Sequence, residues 1–384
     1  MGWLNSPKRY VLTTLKLNVL VWPLTAFAQS SQSQTPGAFD QTSNSSSPVI
    51  VAPREGVPRE GVPREGVPRE GVPREGATGE SDIEDACIVL GAPGEPQYGE
   101  MFSQWANLWV EDLSSSRTQL IGHSTQQASD LSDRESLKRW IAQTKVLDPK
   151  RTRWLILLGH GTFDGKTAKF NLRGEDISSS ELQQWLDGDT AQWVIVVGAA
   201  SSAPFLKALS GPNRVVIVST KNSNESNFSR FGGFLSQSLH EETSDLDHDG
   251  AVSILEAFIC GSQKTKQYYE DNRLLATEHP LLEDNADSLG TSGESYRGTR
   301  PVAISSAGNT PMEKMDGRLA KRITLKVRPS DRGLSGEALE AIEKLEMQID
   351  NLRSNKESLQ PDDYYSKLET IFLEIAKIRF GPRS

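Results

Sequence analysis

Two stretches, WLILLGHGTFDG at 154–165 and VIVVGAASSAPF at 194–205, constrain the fold of this chain more than anything else in it. Each opens on an unbroken apolar run and closes on glycine and small polar residues. A strand that is apolar at every position must be covered on both faces, the condition met in parallel sheets flanked by helices. From Ala86 onward such runs alternate with longer amphipathic segments, which predicts an α/β domain with a mostly parallel sheet and helices on both faces. Strands are expected near 86–92, 118–122, 153–159, 192–198 and 213–219. Helices are expected near 98–113, 132–147, 178–187, 203–210, 228–241 and 253–271.

The α/β pattern occupies 85–290, and the flanks read differently. Residues 1–28 carry Lys8, Arg9 and Lys16, then an apolar run from Leu17 ending Ala26-Phe27-Ala28, the layout of a signal peptide cleaved after Ala28. That run falls short of the roughly 20 residues of a comfortable span, so an uncleaved anchor is the lesser alternative. The expectation is an exported protein, periplasmic or extracellular, with no membrane span after cleavage. Loss of those three cations would take the formal charge from −9 to −12, which argues against nucleic acid as a partner. Residues 29–84 are rich in Ser, Gln, Thr and Pro and then repeat PREG five times between Pro53 and Gly76. One valine per repeat builds no core, so this is expected to be a disordered, semi-extended linker.

Residues 291–330 are polar and Gly/Ser-rich, hence an expected linker. Beyond it, Leu339, Ile342, Leu345, Ile349 and Leu352 recur at three- and four-residue steps. Pro361 interrupts the pattern, and Leu368, Ile371, Phe372, Ile375 and Ile378 resume it, predicting a C-terminal helical hairpin over 331–384. Its stripe would pack on the α/β domain or drive self-association through residues 335–384.

In open parallel sheets ligands gather at the carboxyl ends of strands, where His160 sits in a Gly-His-Gly turn. Flanking glycines allow close approach of a substrate and leave an N–H to face an oxyanion; a structural histidine is the alternative reading. The segments IVLGAPGEPQYGEMF, GHGTFDG, VIVVGAASS, STKNSNESN and ATEHPLLEDNADSLG together resemble the caspase-fold cysteine peptidases, most closely bacterial legumain-like members, over Cys87 to Gly290. The resemblance implies His160 as base, Gly161 as an oxyanion-hole amide, Glu225 in a pocket suited to Asn or Asp, and a peptide or protein as the ligand. It also implies a cysteine just past the apolar run, where this chain reads Gly198-Ala199-Ala200-Ser201. Cys87 opens a strand and Cys260 falls inside a helix, so both read as small buried apolar side chains. Ser201 or Ser202 with His160 as base would be a substitute pair, and serines at such a turn also serve as caps.

The segment DLDHDGAVSILE at 245–256 places Asp245, Asp247 and Asp249 at positions one, three and five of an EF-hand-like loop. Gly250 follows at six, the Ala251 carbonyl at seven, Ser253 at nine and Glu256 at twelve. Hard oxygen ligands in this spacing point to calcium in a structural role, with a solvated acidic turn as the alternative. Three functions are therefore open: a non-catalytic peptidase homologue acting by binding, a serine-dependent endopeptidase, and an envelope scaffold.

Overall fold

The computed structural model describes residues 85–113, 117–123, 131–302, 315–326 and 328–381. The expected signal peptide and PREG linker lie outside the described residues. Five parallel strands make the centre of the sheet: β1 (Asp85–Leu90), β2 (Arg117–Ile121), β3 (Arg153–Leu158), β7 (Trp193–Gly198) and β8 (Arg214–Val218). The sheet extends by β9 (Leu281–Glu283), antiparallel to β8, and β10 (Thr291–Ser292), giving the order β10-β9-β8-β7-β3-β1-β2. The expected α/β class, mostly parallel, is what the chain adopts.

Every residue of β1, β3 and β7 is buried, for the reason their sequences suggest: alternate side chains enter two different cores. Ile88, Trp154, Ile156, Val194 and Val196 face one core with α1 (Pro96–Asp112), α5 (Phe231–His240) and α6 (Ile254–Asp271). Cys87, Leu155, Leu157, Ile195 and Val197 face the other with α2 (Asp133–Thr144), α3 (Ser179–Leu186) and α4 (Ala203–Leu209). Burying one such aliphatic side chain stabilises the fold by about 1.5–3 kcal/mol.

Between β3 and α3 the chain forms an antiparallel sheet that the apolar periodicity does not announce: β4 (Gly161–Phe163), β5 (Ala168–Phe170) and β6 (Ile177–Ser178). A two-stranded ribbon, β11 (Tyr296–Arg297) with β12 (Arg300–Pro301), follows β10.

In its described parts, the expected linker 291–330 is packed structure. Ala320 and Ile323 enter the core beneath α6, the Ile254 amide donates to the Ile323 carbonyl at 2.9 Å, and Thr324 bridges Ser253. Polar composition concealed two well-placed apolar residues.

The C-terminal pair, α7 (Gly336–Ser354) and α8 (Pro361–Phe380), closes on its own small core of Ile342, Leu345, Ile349 and Ile375. Phe372, expected in the stripe, is exposed. The pair meets the α/β domain through ion pairs, Arg322 with Asp350 and Lys150 with Glu340, both at 2.8 Å. Solvent screens pairs of this kind, so they hold the hairpin only weakly. No helix among the described residues is long and apolar enough to cross a membrane.

Candidate functional site

The strand order reverses direction between β1 and β3, and a crevice opens outside the carboxyl ends of strands at such a point. Gly91 and Gly159 line it back to back, the Gly91 amide donating to the Leu158 carbonyl at 2.9 Å. A Cβ on Gly159 would lie 2.9 Å from the Gly91 Cα and from the Phe170 ring, so neither turn has room for a side chain.

His160 follows directly. Its Nε2 is 3.1 Å from the Pro93 carbonyl oxygen. A carbonyl only accepts, so Nε2 carries the proton and the Nδ1 lone pair is left over. The ring is held by aromatic neighbours: Tyr98 and Phe102 from the start of α1 at 4.9 and 5.3 Å, and Phe228 from the loop before α5 at 5.6 Å. Sequence reading missed Pro93, because a backbone acceptor has no side-chain signature.

On the other side, β7 runs beside β3 with Leu158 paired to Gly198, which brings the Ala199–Ser202 turn to the same rim. A Cβ on Gly161 would meet the Ala200 carbonyl oxygen at 2.1 Å and the Ala199 Cβ at 3.3 Å. Gly161 thus lies against the backbone of that turn, with the Ala199 methyl beside it.

Neither serine hydrogen-bonds to His160. Ser201 takes a left-handed backbone, φ +53°, and its amide donates to the Glu225 carbonyl at 2.8 Å. Its hydroxyl is buried with no hydrogen-bond partner. The Ser202 hydroxyl accepts from the Ser219 and Thr220 amides at 3.0 and 3.2 Å. Thr220 Oγ1 in turn accepts from the Ser202 and Ala203 amides at 2.8 and 3.1 Å, so the cap of α4 comes from across the rim.

No thiol reaches this rim. Cys87 faces the opposite core three residues before its strand ends, about 10 Å away at strand rise. Cys260 lies beside Ser244 and Lys264, past the far end of α5, which begins next to Phe228 and is about 15 Å long. Both cysteines are free, and burial pushes both thiols up from their ordinary value.

The Glu225 carboxylate is turned into its loop: it accepts from the Lys221 amide at 2.9 Å and meets His279 Nδ1 at 2.7 Å. Next to His279, buried Glu278 accepts from Ser229 Oγ at 2.7 Å, the Arg230 and Phe231 amides at 3.0 and 3.1 Å, and Tyr269 at 3.2 Å. Burial pushes this carboxyl above the usual carboxylate range against those donors. Glu278 therefore caps α5 and fixes the loop carrying Phe228 against His160.

In the 245–256 loop, Asp245, Asp247 and Asp249 each turn a carboxylate oxygen into one cluster, all within 4.8 Å. Asp245 accepts from the Asp249 and Gly250 amides at 3.2 and 2.9 Å, with Gly250 at φ +89°, and so closes the sharp turn. Lys321 pairs with Asp247 at 3.2 Å and Arg328 with Asp249 at 2.6 Å. Glu256 is not in the cluster. Its Oε1 accepts from the Leu246 and Asp247 amides at 2.9 and 3.1 Å, and its Oε2 from the Ser253 amide and hydroxyl at 2.8 and 2.7 Å. Ser253 completes the same capping box at the start of α6, and Ala251 is buried. The donor set fits calcium in three of its carboxylates; the fourth is committed to holding the loop.

A central parallel sheet with a histidine at its reversal point is the class that fold and rim define. No protein-family model matches the chain, and no curated protein matches it. Among solved structures, caspase-1 from Spodoptera frugiperda is similar at 12% identity and TM-score 0.37, over 53% of this chain and 86% of that one. The Drosophila initiator caspase Dronc is similar at 10% identity and TM-score 0.36, over 53% and 79%. Chaetomium thermophilum Raptor is similar at 11% identity and TM-score 0.28, over 41% and 17%. With TM-scores below 0.5, the strand order and the rim residues, rather than these overlays, define the site.

Proposed function

We propose that this chain is an exported, legumain-like caspase-fold homologue that binds a peptide or protein segment at the rim between β3 and β7 and does not hydrolyse it. The observation that carries this reading is the rim beside His160 and Gly161: neither serine of the Ala199–Ser202 turn hydrogen-bonds to His160, and both thiols are buried elsewhere. A histidine base without a nucleophile within reach has nothing to activate. The test is incubation with Asn- and Asp-containing fluorogenic peptides beside His160→Ala. No turnover by either protein supports the reading; turnover abolished by the substitution overturns it.

One observation favours a second reading, an endopeptidase with His160 as base: Ser201 combines a strained backbone with an unpartnered hydroxyl. Labelling of Ser201 by a fluorophosphonate probe would establish it.

Calcium at 245–256 belongs to the proposal as a structural ion. Asp245, Asp247 and Asp249 would hold it with the Ala251 carbonyl, and the ion would neutralise their mutual repulsion. Self-association through 335–384 rests on Phe372, Leu373 and Phe380, left exposed by the hairpin. Light scattering with and without those residues decides it, an unchanged mass counting against a scaffold role.

A further inference from the structure

A second acidic cluster lies well away from the calcium-like loop in sequence. Glu283 ends β9, Asp287 follows in the turn, and Asp316 arrives from the segment that underlies α6. One carboxylate oxygen of each lies within 4.8 Å of the others. Glu283 is 0% exposed and Asp316 2%, while Asp287 opens to solvent.

Most of the surrounding hydrogen bonds position these carboxylates without neutralising them. Glu283 Oε1 accepts from the Asp287 amide at 3.1 Å. Asp316 accepts from the Asp284 amide at 2.9 Å and from Thr291 Oγ1 at 2.6 Å, and Asp287 Oδ1 accepts from the Leu289 amide at 2.7 Å. Neighbouring Asp284 is saturated by the Gly317, Leu319 and Ala320 amides at 2.8–2.9 Å, which locks the two chain segments in register. Glu283 Oε2 is buried and short of a well-formed hydrogen bond, with the Ser210 hydroxyl, itself otherwise unpaired, as the donor beside it. The calcium-like loop sets a lysine and an arginine against its aspartates; among the described residues, no ion pair reaches Glu283, Asp287 or Asp316.

Buried like charges are strongly unfavourable unless a proton or a cation joins them. All the donors are carboxylate oxygens, with no sulfur or imidazole, which selects a hard divalent ion such as calcium, magnesium or manganese over zinc. We propose that Glu283, Asp287 and Asp316 form a divalent-cation site, entered from the Asp287 side, that clamps the end of β9 to residues 315–323. Such a clamp would hold β9 at the position from which His279 reaches Glu225, and it stands whether or not the 245–256 loop binds calcium.

The test uses the full chain carrying Asp245→Asn and Asp249→Asn, so that the loop is silenced, titrated calorimetrically with calcium, magnesium and manganese chlorides. One ion is expected to remain, and adding Asp287→Asn, an exposed change compatible with folding, should weaken it at least tenfold. The melting temperature of the silenced chain should rise with the preferred ion and the rise should vanish with Asp287→Asn. Absence of binding, affinity untouched by Asp287→Asn, or a melting temperature that responds to acid and not to any of the three ions would overturn the proposal.

Discussion

The Pro93 carbonyl oxygen accepts from His160 Nε2 at 3.1 Å, so a residue just past β1 sets the tautomer of a histidine just past β3. The two strands are neighbours, and their close approach at Gly91 and Gly159 makes that reach possible. The Nε2 proton is thereby committed to a backbone acceptor, and neither Ser201 nor Ser202 hydrogen-bonds to the ring.

Both thiols should be inert in the folded protein. Burial raises Cys87 and Cys260, and only a thiolate alkylates. Mass spectrometry after iodoacetamide should show no modification at neutral pH and two on unfolding; rapid labelling of either in the native state would contradict the placement away from the rim.

The two serines of the turn should respond oppositely to truncation. Ser202→Ala strips the acceptor from two buried amides and should cost about 2 kcal/mol. Ser201→Gly relieves a left-handed backbone at no hydrogen-bond cost and should gain up to about 1 kcal/mol. Urea unfolding of the two variants measures both signs.

Stability should fall as pH rises above the free histidine value of 6.5. His240 lies between Glu111 and Asp112, each at 2.9 Å, with Lys326 on the far side of Asp112. The hydrogen bond to Glu111 leads in raising its pKa, followed by Asp112, with desolvation and Lys326 opposing. The folded state therefore binds the proton more tightly than the unfolded chain. That contribution is full below pH 6.5 and is lost as pH climbs through the raised value. His240→Gln should flatten this part of the denaturation profile.

In the calcium-like loop, two acidic residues should separate by chelator. Glu256→Gln disturbs an acceptor of three amides and the Ser253 hydroxyl, so it should destabilise by about 1–3 kcal/mol even in chelator. Asp247→Asn should cost little in chelator, where only the Lys321 pair is lost, and clearly more with calcium present. Calorimetric melting with and without chelator reads the difference, and an effect of Asp247→Asn that calcium does not enlarge would argue against the ion.

What the linear chain determined by itself is the class of fold and the cast of the rim. Runs such as Trp154–Leu158 and Val194–Val197 are apolar at every position because both faces are covered, and that condition is local enough to read. The Gly-His-Gly turn, the Gly-Ala-Ala-Ser run after β7 and the spacing of Asp245, Asp247 and Asp249 were legible for the same reason. Tertiary structure alone decided that Pro93 orients His160, that Thr220 rather than Ser202 caps α4, and that Glu278 anchors the loop of Phe228. It also turned Glu256 from the aspartate cluster to a cap, and brought Asp316 beside Glu283 from a stretch whose polarity read as linker. Each of these depends on hydrogen bonds or charges between residues remote in sequence, and no periodicity records which strand ends will meet.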